Sequence, residues 1–84
     1  MKIFGSVQGV NFRSQLRDIA LGLDIAGLAK NEPDGSVSVE AEGEERDLQK
    51  LLNLCYNGIR YAQVTMIDAI WDETQNSFRT FVIE

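Results

Sequence analysis

The fold is decided by residues 5–13, which read Gly5-Ser6-Val7-Gln8-Gly9-Val10-Asn11-Phe12-Arg13. Lys2 to Val7 predicts a short first strand, and the glycines permit a tight turn into a helix that carries Arg13 in its first turn. The first amide N–H groups of a helix lack intrahelical partners, the helix dipole is positive there, and a guanidinium adds a full charge. The stretch therefore predicts an anion site, with phosphate as the expected ligand.

Two helices are predicted from apolar residues at helical spacing. Asn11 is the expected N-cap of the first, and Gly22 suits the left-handed residue that ends it. Gly43, followed by two glutamates, opens the second helix, and Gly58 ends it. The buried stripes of the two helices consist of Phe12, Leu16, Ile19, Ala20 and Leu23, and of Leu48, Leu51, Leu52 and Cys55.

Alternating and short apolar segments predict the remaining strands. These strands are expected at Ile25–Asn31, from Ser36 to Glu42, at Tyr61–Trp71 and around Phe81 and Ile83, with turns at Pro33-Asp34-Gly35 and Glu73–Ser77. The apolar phase of the fourth strand changes between Met66 and Ile67, so we expect a bulge or a change of exposure there. The element order is therefore β-α-β-β-α-β-β.

This order predicts an α+β, ferredoxin-like β-α-β-β-α-β sandwich with an additional C-terminal strand. Two helices pack on one face of a mostly antiparallel sheet, and the third strand lies between the first and second. The carboxyl ends of the first two strands then share one edge with the start of the first helix. Arg13 and Asn31 meet at that edge, separated by roughly 10 Å at the backbone, the width of two strand spacings.

Composition restricts the classes of function. The 84 residues predict a single domain, 1–84, with no apolar run long enough to span a bilayer. The opening segment lacks the features of a signal peptide, so we expect a cytoplasmic protein. Separately, we expect a monomer. A net charge of −5 disfavours nucleic acid and anionic membranes as partners. Histidine is absent and Cys55 is the only cysteine, which excludes an internal disulfide and a cysteine-based metal site.

Motifs along nearly the whole chain resemble the acylphosphatase family. They are the 5–13 stretch, Leu21-Gly22-Leu23, Gly27, Asn31, Asp34-Gly35-Ser36-Val37, Glu42-Gly43 and Phe81-Val82-Ile83. The resemblance implies hydrolysis of acyl phosphates to a carboxylate and inorganic phosphate, without metal or cofactor. It also implies that Arg13 binds the phosphate, that Asn31 orients the attacking water and that the loop from Val7 to Phe12 is a cradle of amides. In the route proposed for the family, a phosphate oxygen of the substrate acts as the base.

The chain departs from the family pattern at three places. Leu28 stands where an aromatic residue is usual, Gly58-Ile59 replaces the usual Gly-Pro, and the first strand starts late. We expect Leu28 to alter packing near the site rather than the chemistry. An alternative function therefore stays open, namely a catalytically weak or inactive ferredoxin-like domain that binds an anion or regulates a partner.

Each candidate residue also has a purely structural interpretation. Arg13 alone is most often a solvated helix charge, and Asn31 alone is a turn residue at the end of a strand. Their joint occurrence on one edge is what favours the site. Cys55 lies on an apolar stripe and is expected in the core rather than as a nucleophile, and the acidic residues from Glu40 to Asp47 are expected to form a solvated face.

Overall fold

Seven elements follow one another in the order that the sequence predicts, in a computed structural model that describes residues 1–72 and 76–84. They are β1 (Lys2–Ser6), α1 (Phe12–Gly22), β2 (Ala26–Asn31), β3 (Val37–Glu42), α2 (Glu45–Asn57), β4 (Gln63–Asp68) and β5 (Phe81–Ile83). The sheet order is β4-β1-β3-β2-β5, so β3 lies between β1 and β2 as predicted. Only the pairing of β5 with β2 is parallel, which confirms the ferredoxin-like fold and its extra strand.

The core lies between the two helices and one face of the sheet. In β3, Val37 and Val39 are buried while Glu40 is exposed, because successive side chains of a strand point to opposite faces. The buried apolar residues form one cluster: Ile3, Val7, Phe12, Leu16, Ala20, Ile25, Ala29, Val37, Val39, Leu51, Cys55, Ile59 and Phe81. Most of the predicted helical stripes supply the helix side of this core: Phe12, Leu16, Ala20, Leu51 and Cys55 belong to it, and Ile19, Leu23 and Leu48 pack against it. Leu52, which was also predicted in the stripe of α2, belongs to neither group.

The end of α1 differs from the prediction. Gly22 is the last residue of the helix, and the left-handed residue is Asp24, with φ 60°. The amide of Ile25 donates to the carbonyl of Ala20 at 2.9 Å, a bond typical of a Schellman motif. The short polar side chain of aspartate tolerates the left-handed region, so Gly22 stays within the helix and the chain reverses at Asp24.

The fourth strand is shorter than Tyr61–Trp71. β4 spans Gln63–Asp68; Tyr61 has a left-handed backbone with φ 66°, and residues 69–72 lie outside any strand. The predicted turn at 73–77 has its first three residues outside the described part of the chain. Apolar character alone therefore overestimated this strand at both ends.

A bulge interrupts β4, but earlier than predicted. Gly5 pairs with Val64 while the preceding residue of β1 pairs with Met66, which leaves Thr65 as the extra residue. The sequence predicted a bulge or a change of exposure between Met66 and Ile67; exposure does change there, from exposed Met66 to half-buried Ile67, but the bulge itself lies at Thr65. Gly5 is its physical reason, because a Cβ there would lie 2.0 Å from a backbone oxygen of β4.

Candidate active site

A cavity of about 510 Å³ opens where β1 and β2 end and α1 begins. Arg13 and Asn31 both line it, so the structure brings together the two residues that the sequence placed on one edge. The full lining is Val7, Gly9, Val10, Asn11, Phe12, Arg13, Ser14, Asn31, Tyr61 and Ile83. Of the predicted loop, residues 7–12, only Gln8 is not part of this lining.

The backbone of the 7–12 loop turns sharply before α1. Gly9 has φ 79° and Asn11 has φ 60°, both in the left-handed region. Asn11 is the N-cap of α1 as predicted, but its side chain makes no capping hydrogen bond. The first turn of α1 also contains no acidic residue. The amides at this helix start are therefore left for a ligand of negative charge.

Gln8 has a structural role outside the cavity. Its side-chain amide donates to the carbonyl oxygens of Glu32 at 2.8 Å and Ser36 at 3.0 Å. These carbonyls flank the turn between β2 and β3, which directly follows Asn31. Gln8 thus fixes the distance between the loop and the strand end that carries Asn31.

Gln15 holds the other side of the loop. Its Nε2 donates to the carbonyls of Val10 at 3.2 Å and Arg60 at 3.1 Å, and its Oε1 accepts the amide of Arg60 at 2.8 Å. One side chain therefore joins the 7–12 loop to the connection between α2 and β4. That connection contributes Tyr61 to the cavity.

Arg13 is half-buried, and its guanidinium is anchored at one nitrogen. Nη1 donates to the backbone oxygen of Glu84, whose own amide donates to the carbonyl of Ala29 at 2.9 Å beside β5. A guanidinium has five N–H donors in a planar fork, so this contact orients the side chain and leaves most of its donors for an anion. Asn31 is exposed at the end of β2. Its side-chain amide can both accept and donate a hydrogen bond.

Asp34, a carboxylate near this edge, is hydrogen-bonded to Ser36 within the turn between β2 and β3. Asp34 accepts hydrogen bonds from the hydroxyl of Ser36 at 2.5 Å and its amide at 3.0 Å, and lies 3.1 Å from Lys2 Nζ. The bonds from Ser36, together with Lys2, lower the pKa of Asp34 to about 2. Its charge is thus neutralised locally, and Asp34 does not line the cavity.

Cys55, which the sequence interpretation expected in the core rather than as a nucleophile, is a buried thiol. The thiol is buried, and burial raises its pKa to about 12. A thiol with that pKa is protonated at neutral pH and is a poor nucleophile. Cys55 is therefore a core residue, as the sequence interpretation expected.

Three lining residues were missed by the sequence interpretation: Ser14, Tyr61 and Ile83. Ser14 follows Arg13 in the first turn of α1, so the reasoning that placed Arg13 at the site could also have placed Ser14 there. Ile83 is present because β5 pairs with β2, and Tyr61 because its segment bends away from β4 instead of continuing it. The sequence carries no local signal for these two placements.

Residues 1–72 and 76–84 contain no group of three or more His, Cys, Asp or Glu side chains placed to hold a metal ion. The acidic residues between Glu40 and Asp47 accordingly form no such group there. In the same described part of the chain, neither helix is long and apolar enough to cross a membrane.

Comparison with known proteins supplies an independent line of observation. Residues 1–83 match the acylphosphatase family model. An acylphosphatase from Salinibacter ruber is 41% identical over 80 residues, covering 95% of this chain and 84% of that protein. The crystal structure of acylphosphatase from Bacillus subtilis has a TM-score of 0.94 at 34% identity, covering 99% of this chain and 92% of that one. T.kodakarensis HypF contains a similar unit, with a TM-score of 0.84 at 26% identity, covering 99% of this chain and 11% of HypF.

Proposed function

The chain belongs to the acylphosphatase family, and from that premise we propose how its residues hydrolyse the carboxyl–phosphate bond of an acyl phosphate. Arg13 and the amides of the 7–12 loop bind the phosphoryl group. Asn31 orients the water that attacks it. The observation that carries this proposal is the single cavity lined by the loop, the arginine and the asparagine.

Binding follows from charge and geometry at the start of α1. The phosphoryl group brings negatively charged oxygens to a cavity whose lining, as far as the structure describes the chain, includes one guanidinium and no carboxylate. Backbone amides at a helix start add partial positive charge and directed donors. Phosphoryl transfer depends mainly on positioning and on stabilising charge on the equatorial oxygens, which these groups supply.

The reaction itself needs few further groups. The oxygen of water, held by the side-chain carbonyl of Asn31, forms a bond to phosphorus as the bond from phosphorus to the acyl oxygen breaks. The electron pair of that bond leaves with the carboxylate, which needs no general acid because it is a stable anion. A water proton passes to a phosphoryl oxygen of the substrate, so the lack of histidine is no obstacle. The products are a carboxylate and inorganic phosphate.

The same reasoning extends the proposal to cofactors and partners. Arg13 and the loop amides supply the positive charge that a metal ion would otherwise bring to the phosphoryl oxygens, so we propose a reaction independent of metal. The partner is the small acyl phosphate itself, or phosphate as product, with no nucleic acid or membrane involved. We further propose that the enzyme acts as a monomer in the cytoplasm, where the unpaired thiol of Cys55 stays reduced.

The test is hydrolysis of benzoyl phosphate in ¹⁸O-labelled water, with and without EDTA. We expect turnover that EDTA leaves unchanged and label in the released phosphate, because water attacks phosphorus. Label in benzoate would place the attack at the acyl carbon and contradict the mechanism. If phosphate binds but benzoyl phosphate is not hydrolysed, the domain is an anion-binding module instead.

A further inference from the structure

We propose that Tyr61 contacts the acyl group of the substrate and gives the site a preference for aromatic over small aliphatic acyl phosphates. This inference rests on the proposed function, since it assigns the part of the cavity that the phosphoryl group does not use. It begins from the presence of both anion-binding and apolar groups in the lining of the cavity.

The lining of the cavity combines anion-binding groups with apolar side chains. Arg13 and the amides at the start of α1 are the anion-binding groups. The apolar and aromatic residues of the lining are Val7, Val10, Phe12, Tyr61 and Ile83, of which Val7 and Phe12 are buried in the core. Inorganic phosphate makes no contact that requires apolar side chains. An acyl phosphate can use both kinds of lining group, because its phosphoryl part is negatively charged and its acyl part is apolar.

Tyr61 is not held in place by burial. Its side chain is 83% exposed, so the ring contributes little to the core. Its backbone has φ 66°, in the left-handed region that a bulky residue adopts only with strain. An exposed aromatic ring at a strained position, on the wall of a cavity, is an arrangement that packing does not explain. Contact with a ligand explains it.

The segment that carries Tyr61 is fastened to the phosphate side of the cavity. The side chain of Gln15 accepts a hydrogen bond from the backbone amide of Arg60 at 2.8 Å and donates one to the carbonyl of Arg60 at 3.1 Å. It also donates a hydrogen bond to the carbonyl of Val10. The guanidinium of Arg60 lies 5.9 Å from the centre of the Tyr61 ring, within the range of a cation–π contact. The backbone next to Tyr61 is thus fastened to the 7–12 loop, and the ring lies beside the guanidinium of Arg60.

The chemical consequence concerns the acyl group. Once the phosphoryl group is bound by Arg13 and the amides, the acyl group extends into the remainder of the same cavity. A flat benzoyl group has a ring face to place against Tyr61, and an acetyl group has only a methyl. Contacts between aromatic rings favour the first substrate by roughly 2- to 10-fold in affinity.

The experiment measures that preference in wild type, Tyr61→Ala, Tyr61→Phe and the control Ile70→Ala. Ile70 is as exposed as Tyr61, at 86%, and does not line the cavity. Two ratios are measured: kcat/KM for benzoyl phosphate over acetyl phosphate, and affinity for phenylphosphonate over methylphosphonate. Affinity for inorganic phosphate is measured by calorimetry on the same proteins.

We expect Tyr61→Ala to lower both ratios by roughly 2- to 10-fold with phosphate affinity unchanged. Tyr61→Phe and Ile70→Ala should retain both ratios, since the first keeps the ring and the second is remote. Unchanged ratios in Tyr61→Ala would overturn the inference, as would a parallel loss of phosphate affinity. The phosphonates are not hydrolysed, so their ratio tests Tyr61 even if wild type turns over neither acyl phosphate. Failure of wild type to hydrolyse either acyl phosphate would count against the proposed function and not against the role of Tyr61.

Discussion

The two helices begin at opposite ends of the sheet, and the contrast between their first turns explains why only one is proposed as a site. α1 follows β1 and α2 follows β3, and these strands are antiparallel. Both starts border a cavity of similar size, about 510 Å³ at α1 and 580 Å³ at α2. The two cavities differ mainly in the charges of the residues that line them.

The N-terminus of α2 already carries several carboxylate side chains. Glu44 is the N-cap, and Glu45 and Asp47 lie in the first turn. The carboxylates that line its cavity are Asp24, Glu42, Glu44 and Asp47. At α1 the lining, among residues 1–72 and 76–84, contains Arg13 and no carboxylate. A helix start thus becomes available to a phosphoryl group only where the chain supplies no anion of its own, and the following experiments test that difference.

The largest effect is expected from Arg13→Ala. It removes the one full positive charge that the described residues place on the lining of the α1 cavity, so kcat/KM for benzoyl phosphate should fall by at least about 10²–10³-fold. The matched control is Arg46→Ala, which removes an arginine from the lining of the α2 cavity. Arg46 is exposed and paired with Glu44, and its removal should leave activity unchanged. Equal activity in both variants and wild type would refute the assignment of the site.

A smaller effect is expected when α1 is made to resemble α2. Ser14→Asp places a carboxylate in the first turn of α1, on the lining of the cavity. Its repulsion of the phosphoryl oxygens should weaken phosphate binding, measured by calorimetry, by roughly tenfold or more. The control is Ser14→Asn, because asparagine has nearly the same shape as aspartate but no charge. Its phosphate affinity should be close to that of wild type. If both variants bind alike, charge at the helix start does not control the site.

The smallest effect concerns Asp34, a carboxylate in the turn that follows Asn31. Its pKa is lowered to about 2 by Ser36 and Lys2, so the unfolded chain binds its proton more readily than the folded one. The stabilisation is therefore complete above about pH 4, the unfolded pKa, and is lost as the pH falls towards 2. Melting temperatures between pH 2 and 6 should fall more steeply with acid in wild type than in Asp34→Asn.

The matched control for that series is Asp18→Asn. Asp18 is exposed and lies 3.5 Å from Arg17. Its replacement should leave the slope of the melting temperature with pH as in wild type. A slope that Asp34→Asn does not change would mean that the turn gains nothing from the charge of Asp34.

Much of the fold was predictable because it depends on local patterns. The alternation in β3 and the apolar stripes of the helices fixed the element order, and element directions then brought Arg13 and Asn31 to one edge. The end of α1 was misplaced because glycine was assumed where Asp24 takes the left-handed backbone. The extent of β4 was overestimated because its boundary depends on the backbone of Tyr61, not on apolar character.

The supports of the candidate site were beyond sequence reasoning for a different reason. Gln8 reaches carbonyls 24 and 28 residues away, and Gln15 reaches Arg60 across 45 residues. Such bonds depend on how separate connections lie relative to one another, which periodicity and motif spacing do not specify. The same holds for the position of Tyr61 in the cavity.

The central claim is that Arg13 and the loop hold the phosphoryl group while Asn31 turns that binding into hydrolysis. The most direct measurement is the phosphate affinity of Asn31→Ala by calorimetry, alongside its turnover of benzoyl phosphate. Lys30→Ala serves as control, since successive side chains of β2 lie on opposite faces of the sheet. We predict unchanged phosphate affinity and a loss of turnover of at least about 10²-fold in Asn31→Ala only. Retained turnover, or affinity that falls together with turnover, would contradict the account.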